Sequence, residues 1–265
     1  MKQIEKIRME NIKQRLRNLK LSGAAASFAD RNQYALDNKL SYLDFLELIL
    51  EDEWALRQSN GYKRRLLQSK LSEQKRLDNY DYTYQPELDK SLITDLSACR
   101  YIVEKTNVIF MGKPGVGKTH LANGLGLRAL EKGYSVMMMH ANTLIDKLHR
   151  SKADGKYQSL IKRITKTDLL IIDEVGFKKF PQNGSDDFFE VIRSRYETGS
   201  LIITTNRNFE DWALLFGDKV MASAIIDRII HHAVLIKITG ESYRLRKARI
   251  NISNMKTDQP KGKEP

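Results

Sequence analysis

Cysteine and long hydrophobic runs are the scarcest features of this 265-residue sequence, which contains a single cysteine, Cys99. One thiol can form no internal disulfide and offers no second thiol for zinc, so the chain suits a reducing compartment and is expected to be cytoplasmic. No stretch approaches the roughly 20 apolar residues that span a bilayer. The N-terminus also lacks the apolar segment of a secretory signal. A membrane partner is therefore not expected.

Glycine and proline are also few, at 15 and 5 residues, which excludes collagen-like and low-complexity chains. The sequence is 41% hydrophobic and 29% charged, a composition that is ordinary for a folded protein. A chain of this length can form one large domain and a smaller one.

Charge of one sign dominates the sequence. Lys and Arg number 45 against 33 Asp and Glu, which gives a net charge of +12 and a pI near 9.6. This balance is typical of proteins that bind a polyanion such as nucleic acid, although net charge also serves solubility alone. Motifs have to distinguish the two interpretations.

Residues 1–85 are predicted to form a small all-α N-terminal domain that binds DNA or a partner. Apolar residues recur there in two runs at nearly helical spacing. They are Ile4, Ile7, Ile12, Leu16 and Leu19, followed by Leu43, Leu46, Ile49, Leu50 and Trp54. Ser41 and Asp44 have the spacing of a capping box, which predicts a helix start before the second run.

A break in helical periodicity predicts a linker over residues 78–95, where aromatic and turn-forming residues surround Pro86. Residues 86–252 then alternate short β-rich runs with helical segments, which favours a parallel sheet covered on both faces. The predicted strands are Asn107–Met111, Tyr134–His140, Asp168–Asp173, Ser200–Asn206 and Ala233–Ile238. The polar residues 253–265 are expected to form a flexible basic tail.

A phosphate-binding loop, or P-loop, is the strongest signal in the sequence. It follows the apolar run NVIFM, precedes a helical segment, and comprises Gly112, Lys113, Pro114, Gly115, Val116, Gly117, Lys118 and Thr119. Its glycines let the backbone turn tightly, so that N–H groups face phosphate oxygens. Lys118 is predicted to neutralise the β- and γ-phosphates of ATP, and the Thr119 hydroxyl to bind Mg²⁺.

Two carboxylates follow the aliphatic run Leu169–Ile172, about fifty residues after the P-loop. A fully apolar run suits a central buried strand, which would deliver Asp173 and Glu174 to the carboxyl edge of the sheet, where the P-loop also lies. Asp173 is predicted to orient Mg²⁺ through water, and Glu174 to polarise the water that attacks ATP.

Five motifs in this order and spacing give the sequence a family resemblance. They are GKPGVGKTHLA, LLIIDE, ITTN, IIDRIIHHA and SYRLR. Over nearly the whole chain the sequence resembles AAA+ ATPases of the initiator and helicase-loader clade, in particular the IstB-type helper ATPases of insertion-sequence transposition. The DnaC-like helicase loaders share most of these motifs. The resemblance implies an α/β P-loop AAA+ three-layer sandwich with a five-stranded parallel sheet, preceded by the small all-α domain.

The resemblance also implies roles for individual residues. Asn206 matches the sensor that contacts the γ-phosphate or the lytic water, and Arg228 matches the arginine finger that acts on a neighbouring subunit, which implies a homo-oligomer. The residues alone leave two alternatives open, in which Asn206 caps the following turn and Arg228 pairs with Asp227 on a helix surface. His120, next to the P-loop, is included among the expected nucleotide-binding residues.

The sequence departs from standard AAA+ proteins after the last predicted strand, where too few residues remain for the usual helical lid. The arginine that normally reaches from the lid to the phosphates therefore has no secure counterpart. Arg244 and Arg246 in SYRLR are the candidates to replace it.

Two basic clusters are candidates for DNA contact. The first is predicted to be a basic amphipathic helix over residues 57–76, and the second occupies two helices predicted between the second and third strands. The residues singled out are Arg57, Lys63, Arg64, Lys147, Arg150, Lys162 and Arg163. A solvated charged face is the alternative for each cluster. Because no base-reading motif is present, binding is expected to be largely independent of sequence and to involve duplex phosphates and DNA shape.

The function expected from these features is an ATP-dependent, DNA-binding helper of transposition that oligomerises on target DNA and stimulates a separate transposase. A helicase loader of the DnaC type is the alternative. A nucleotide-binding scaffold with negligible turnover is a third possibility. DNA-strand cleavage is not expected, because Asp173 and Glu174 are already assigned to the nucleotide and no further acidic triad is evident.

Overall fold

The structure is a computed structural model that describes residues 2–181 and 184–248. It divides into two compact units, Met1–Arg64 and Arg65–Pro265. The predicted tail, 253–265, lies outside the described residues. Among the residues that are described, no helix is long and apolar enough to cross a membrane.

The first unit is helical, as the periodicity predicts. It contains α1 (Lys2–Asn18), α2 (Ser22–Asp37) and most of α3 (Tyr42–Ser69). The predicted capping box is confirmed at the start of α3. The Ser41 backbone N–H donates to Asp44 Oδ2 over 3.1 Å, and the Asp44 N–H donates to Ser41 Oγ over 3.2 Å. Two backbone donors that the helix leaves unpaired are thereby satisfied.

A buried carboxylate on α3 caps the start of α2. Glu53 Oε2 accepts hydrogen bonds from the backbone N–H groups of Gly23 at 2.7 Å and Ala24 at 3.2 Å, while Oε1 accepts from Arg57 Nε at 2.6 Å. Burial alone would raise the pKa of Glu53, but these hydrogen bonds outweigh it and hold the pKa below its usual range. The close approach requires a glycine, because a Cβ at Gly23 would lie 2.8 Å from the Asp52 carbonyl oxygen.

The second unit is built on a five-stranded parallel sheet, which confirms the predicted fold. The strands are β1 (Asn107–Gly112), β2 (Val136–His140), β3 (Leu169–Val175), β4 (Ser200–Thr205) and β5 (Ala233–Ile238), in the order β2-β3-β4-β1-β5. Each overlaps the strand predicted for it. The apolar run of β3 is fully buried because β3 is a central strand, paired with β2 and β4.

Helices cover both faces of the sheet. They are α4 (Lys90–Ser97), α5 (Arg100–Val103), α6 (Lys118–Glu131), α7 (Ala141–Ala153), α8 (Tyr157–Lys166), α9 (Gly184–Arg195), α10 (Trp212–Phe216) and α11 (Lys219–Ile230). Successive residues of β3 face opposite layers. Leu170 and Ile172 join the core formed with α7–α11, whereas Ile171 packs against Gly126 of α6.

A buried arginine links the edge of the sheet where β3 and β4 begin to the end of α8. The Arg195 guanidinium donates to the carbonyl oxygens of Ile164, Thr167, Asp168 and Ser200 over 2.6–3.2 Å. Burial lowers the pKa of Arg195 to about 10. Four carbonyls from three segments are thus satisfied by one side chain.

The prediction of a linker over residues 78–95 was wrong, because these residues lie within the second unit. Two 3-10 turns, Leu77–Asn79 and Tyr82–Tyr84, precede α4 within residues 78–95. The preceding segment packs on α6, where Asn123 exchanges hydrogen bonds with the Ser72 backbone over 2.8–2.9 Å. The compact units divide at residues 64/65 rather than at the predicted boundary of 85/86, and residues 65–85 belong to the second unit.

The predicted basic helix over residues 57–76 is shorter than expected. α3 ends at Ser69, and Lys70 has a left-handed backbone with φ of 66°. The Leu71 backbone N–H donates to Ser69 Oγ over 3.1 Å, so a side-chain hydroxyl stabilises the turn that ends the helix. The basic residues beyond position 70 therefore lie on irregular backbone.

Replacing Glu53 with Gln is expected to weaken the start of α2, because a neutral amide accepts weaker hydrogen bonds than a carboxylate. We expect a loss of about 1–3 kcal/mol of local stability, measured as faster amide hydrogen exchange at Gly23 and Ala24. Glu51→Gln, at an exposed position on the same helix, is the control and should leave those amides unchanged. Equal exchange in the two variants would contradict a role for Glu53 in capping.

Candidate functional site

The P-loop joins β1 to the N-terminus of α6, and two of its glycines have left-handed backbone. Gly115 has φ of +86° and Gly117 has φ of +99°. A Cβ at Gly117 would also lie 2.6 Å from the Tyr80 ring. The loop thus requires glycine both for its turn and for the approach of an aromatic side chain. Its N–H groups and the start of α6 form the arrangement that binds phosphate oxygens.

Lys118 lies within the loop, where its Nζ donates to the carbonyl oxygens of Gly112 at 2.7 Å and Lys113 at 2.8 Å. Burial lowers the pKa of Lys118, and the carboxylates of Asp173 and Glu174 act in the opposite direction. The ammonium is therefore held between backbone oxygens and two acidic groups, close to where the loop would hold phosphates.

Asp173 connects three elements of the site and is fully buried. The Thr119 hydroxyl on α6 lies 2.9 Å from Asp173 Oδ1 and 3.1 Å from Oδ2. The Thr204 hydroxyl on β4 donates to Oδ1 over 2.5 Å. A hydroxyl and a carboxylate are ligands suited to Mg²⁺, directly or through water, so Thr119 and Asp173 fit the ion predicted for them.

Glu174 follows Asp173 with an exposed side chain and a left-handed backbone, at φ of 60°. Its N–H donates to Thr204 Oγ1 over 2.9 Å, so Thr204 contacts both acidic residues. His140, at the end of β2, places Nδ1 3.5 Å from Asp173 Oδ2 and 3.5 Å from Glu174 Oε2. Sequence reasoning missed Thr204 and His140, although the end of each predicted strand was the signal that could have identified them.

Lys118, Thr119, His140 and the two acidic residues line a cavity of about 590 Å³, a volume within the usual range for ligand sites. Its lining includes the P-loop from Pro114 onward, His120, Asp173, Glu174 and Asn206. The structure thus brings together most of the residues predicted for the nucleotide, and Asn206 lies on the same cavity as Glu174.

One wall of the cavity comes from the segment that was predicted as a linker. Asn79, Tyr80, Tyr84 and Gln85 line it. The Tyr80 hydroxyl donates to the Val116 carbonyl over 3.1 Å, and burial raises the pKa of Tyr80 above its usual range. This wall was missed by sequence reasoning, which interpreted the aromatic residues only as a break in helical periodicity.

The two candidate arginines of SYRLR have different surroundings. Arg244 lines the cavity, and the preceding Tyr243 donates its N–H to the Gly115 carbonyl over 3.0 Å. Arg246 instead lies over the Tyr84 ring, 4.9 Å from its centroid. Of the two, Arg244 is the one that lines the cavity with the P-loop.

Arg228 lies on α11 and is not among the described residues that line the cavity. Its Nη1 donates to the Ala224 carbonyl over 2.8 Å, and its guanidinium lies 5.2 Å from the Phe189 ring centroid. No ion pair with Asp227 is present in the described part of the chain. Arg228 therefore does not contribute to the lining of the nucleotide cavity.

The basic residues predicted to contact DNA differ in whether other residues of the protein already bind their side chains. Arg57 pairs with Glu53 and also donates to the Lys20 carbonyl over 3.1 Å. The others singled out are exposed: Lys63 and Arg64 on α3, Lys147 and Arg150 on α7, and Lys162 and Arg163 on α8. The two predicted helices between β2 and β3 are therefore present and carry an accessible basic surface.

The parallel sheet and the P-loop after β1 define this chain as an α/β P-loop protein of AAA+-like fold. Among solved structures, AMPPCP-bound DnaA from Aquifex aeolicus is similar with a TM-score of 0.55 at 19% identity, over 73% of this chain and 59% of that one. DnaI is similar with a TM-score of 0.54 at 20% identity, over 64% of this chain and 96% of that one. At these identities the likeness concerns the fold.

Sequence comparison narrows the class to a family. Residues 14–251 match the family described as IstB-like ATP binding protein, and the chain belongs to this family. A protein of insertion sequence IS5376 from Geobacillus stearothermophilus is 36% identical over 93% of this chain and 98% of its own length. A protein of insertion sequence IS21 from Pseudomonas aeruginosa is 35% identical over 91% of each.

Replacing Lys118 with Ala should weaken ATP binding by about 10- to 150-fold, because a charge-assisted hydrogen bond contributes roughly 1.5–3 kcal/mol. Titration with a fluorescent ATP analogue in the presence of Mg²⁺ measures the change. Lys132→Ala, at an exposed position after the far end of α6, is the matched control. Equal ATP affinity in the two variants would show that Lys118 does not contribute to nucleotide binding.

Proposed function

We propose that this protein is a Mg²⁺-dependent ATPase that assists transposition by assembling on target DNA and stimulating a separate transposase. The observation that carries the proposal is the convergence of Lys118, Thr119, Asp173 and Glu174 on one cavity, in a chain whose relatives are insertion-sequence proteins. The alternative, a helicase loader of the DnaC type, is supported only by the motifs that the sequence shares with such loaders.

Each acidic residue has a distinct role in the proposed reaction. Thr119 and Asp173 would hold Mg²⁺, which neutralises charge on the β- and γ-phosphates when bound. Glu174 is exposed to the cavity and would accept a proton from the attacking water. Asn206 would orient that water or the γ-phosphate, and His140 would position the Glu174 carboxylate, since its Nδ1 lies 3.5 Å from Glu174 Oε2.

Glu174→Gln should bind ATP normally and hydrolyse it at least about 100-fold more slowly, because general base catalysis contributes at least that factor. Single-turnover hydrolysis, measured beside nucleotide affinity, separates the two effects. Glu210→Gln, an exposed substitution elsewhere in this unit, should behave as wild type. Unchanged turnover in the Glu174 variant would show that Glu174 is not the general base.

DNA is proposed to contact the exposed basic surface of α7 and α8. Lys162 and Arg163 are on α8, and Lys147 and Arg150 are on α7, the helix that precedes it in sequence. All four side chains are exposed. Cations on a short helical pair suit phosphate contact without base readout. A DnaA structure that holds both AMPPCP and single-stranded DNA has the same fold, which is compatible with DNA binding by this type of domain.

Reversing both charges, as Lys162→Glu with Arg163→Glu, should weaken binding to duplex DNA and reduce the slope of log affinity against log salt by about 0.9 for each lost phosphate contact. Fluorescence anisotropy over a salt series, with ATP bound, measures both quantities. Lys237→Glu, an exposed change on β5 at the other edge of the sheet, is the control. An unchanged slope of log affinity against log salt would show that Lys162 and Arg163 are exposed to solvent and do not contact DNA phosphates.

A shared catalytic site between subunits is proposed for Arg228. The side chain does not line the nucleotide cavity of its own chain and is partly exposed on α11, as a residue that acts on a neighbour would be. A trans-acting arginine stabilises the charge that develops on the transferred phosphoryl group. The protein would therefore hydrolyse ATP only as an assembly.

Mixing Arg228→Ala with Lys118→Ala protein tests this model, because a mixed assembly can pair an intact P-loop with an intact Arg228 of the next subunit. Arg228→Ala alone should lose about 10³–10⁵ in rate. Lys118→Ala alone should hydrolyse little ATP at concentrations too low for its weakened binding, and at those concentrations the mixture should recover measurable ATPase activity. DNA-dependent assembly of each variant is verified first by analytical ultracentrifugation. A mixture that assembles but remains as inactive as its components would contradict the shared site.

A further inference from the structure

Two histidines and a glutamate lie together at the edge of the sheet opposite the nucleotide cavity. Glu197 is in the turn between α9 and β4, and His231 and His232 connect α11 to β5. All three are exposed, and each offers one ligand atom within 4.8 Å of the other two. The fold therefore brings two imidazoles and a carboxylate from separate segments to one accessible point.

The distances within this cluster are close to those that one ion bridges. His232 Nε2 lies 3.9 Å from Glu197 Oε1, and the ring centroids of His231 and His232 are 4.0 Å apart. The side chains of His232 and Glu197 are 52% and 58% exposed, so they can close the remaining distance without disturbing packed atoms. Metal–ligand bonds of about 2.0–2.2 Å would bring the donors slightly nearer to one another.

Each histidine also has a contact outside the cluster. His231 Nδ1 lies 2.9 Å from the Tyr196 hydroxyl oxygen. In the tautomer whose Nδ1–H donates to that oxygen, Nε2 presents a free lone pair, as in metal sites whose histidines are held by an outer partner. The His232 carbonyl accepts the Asn107 N–H over 2.7 Å, which fixes the adjoining backbone.

The C-terminal end of α11 also favours a cation. His231 is the C-cap of α11, and the carbonyl groups at a helix C-terminus attract positive charge. The neighbouring Arg228 does not fill the position, because its guanidinium is directed to the Ala224 carbonyl and the Phe189 ring.

We infer that Glu197, His231 and His232 bind a divalent transition-metal ion of the Zn²⁺, Co²⁺ or Ni²⁺ class. Imidazole ligands favour these ions over Mg²⁺, which prefers oxygen ligands throughout. Three protein ligands leave a coordination position for water or for a donor from another molecule. A bound ion would join the end of α11 to the α9–β4 turn, three residues from Arg228. The inference does not depend on the function proposed above.

Isothermal titration of the untagged full-length protein with ZnCl₂ tests the site. Mg²⁺ and a non-hydrolysable ATP analogue are present in excess to occupy the nucleotide cavity, where His140, Asp173 and Glu174 form a second group of possible ligands. We expect one Zn²⁺ per chain. His231→Ala and His232→Ala should each abolish saturable binding, and Tyr196→Phe should weaken it by about 10- to 100-fold, the usual effect of removing an outer partner.

Two further variants separate this site from other histidines. His149→Ala, at an exposed position on α7, and His140→Ala, at the nucleotide cavity, should both retain one Zn²⁺ per chain. Histidine-ring NMR signals of the wild-type protein supply a readout that needs no variant to fold, and Zn²⁺ should shift two of them and leave the other three. Saturable Zn²⁺ binding that survives the paired change of His231 and His232 to Ala, or that disappears with His140→Ala, would overturn the inference, as would an absence of binding in the wild type.

Discussion

The hydrogen bonds to the Asp173 carboxylate are the constraint on which the nucleotide end of this protein depends. A buried carboxylate must be hydrogen-bonded, and here its partners are the hydroxyls of Thr119 on α6 and Thr204 on β4. Because Thr204 also accepts the Glu174 N–H, one hydroxyl fixes both acidic residues. The first residues of α6 and the ends of two central strands are thereby held in register, and the cavity takes its shape from them.

The sheet and the P-loop could be predicted because their residues determine local structure. Four aliphatic residues before Asp173 strongly favour a strand that is buried on both faces. Gly115 and Gly117 allow a left-handed turn that other residues rarely adopt. The cavity wall at Tyr80 could not be predicted in the same way. Its backbone is irregular, and its partner, Val116, is 36 residues away in sequence, so no periodicity links the two.

Charged residues were the other limit of prediction, since sequence alone does not tell which of them are exposed. Arg193 and Arg195 are two positions apart on α9, yet Arg193 forms a surface pair with Glu190 while Arg195 is buried among four carbonyls. Arg57, which the charge pattern predicts to contact phosphate, also pairs with the buried Glu53. For Arg195 the tertiary contacts decide the outcome, because desolvating a cation requires acceptors that other segments of the folded chain supply.

The contact between the Tyr243 N–H and the Gly115 carbonyl has a consequence for the design of truncated forms. β5, which ends at Ile238, completes the described sheet, so a fragment that stops there retains all five of its strands and is expected to look folded by circular dichroism. It would nevertheless lack Tyr243 and Arg244, and with them one side of the ATP cavity. Secondary-structure content is therefore a poor criterion for a minimal nucleotide-binding fragment of this protein, and the boundary of such a fragment has to include residues 239–248.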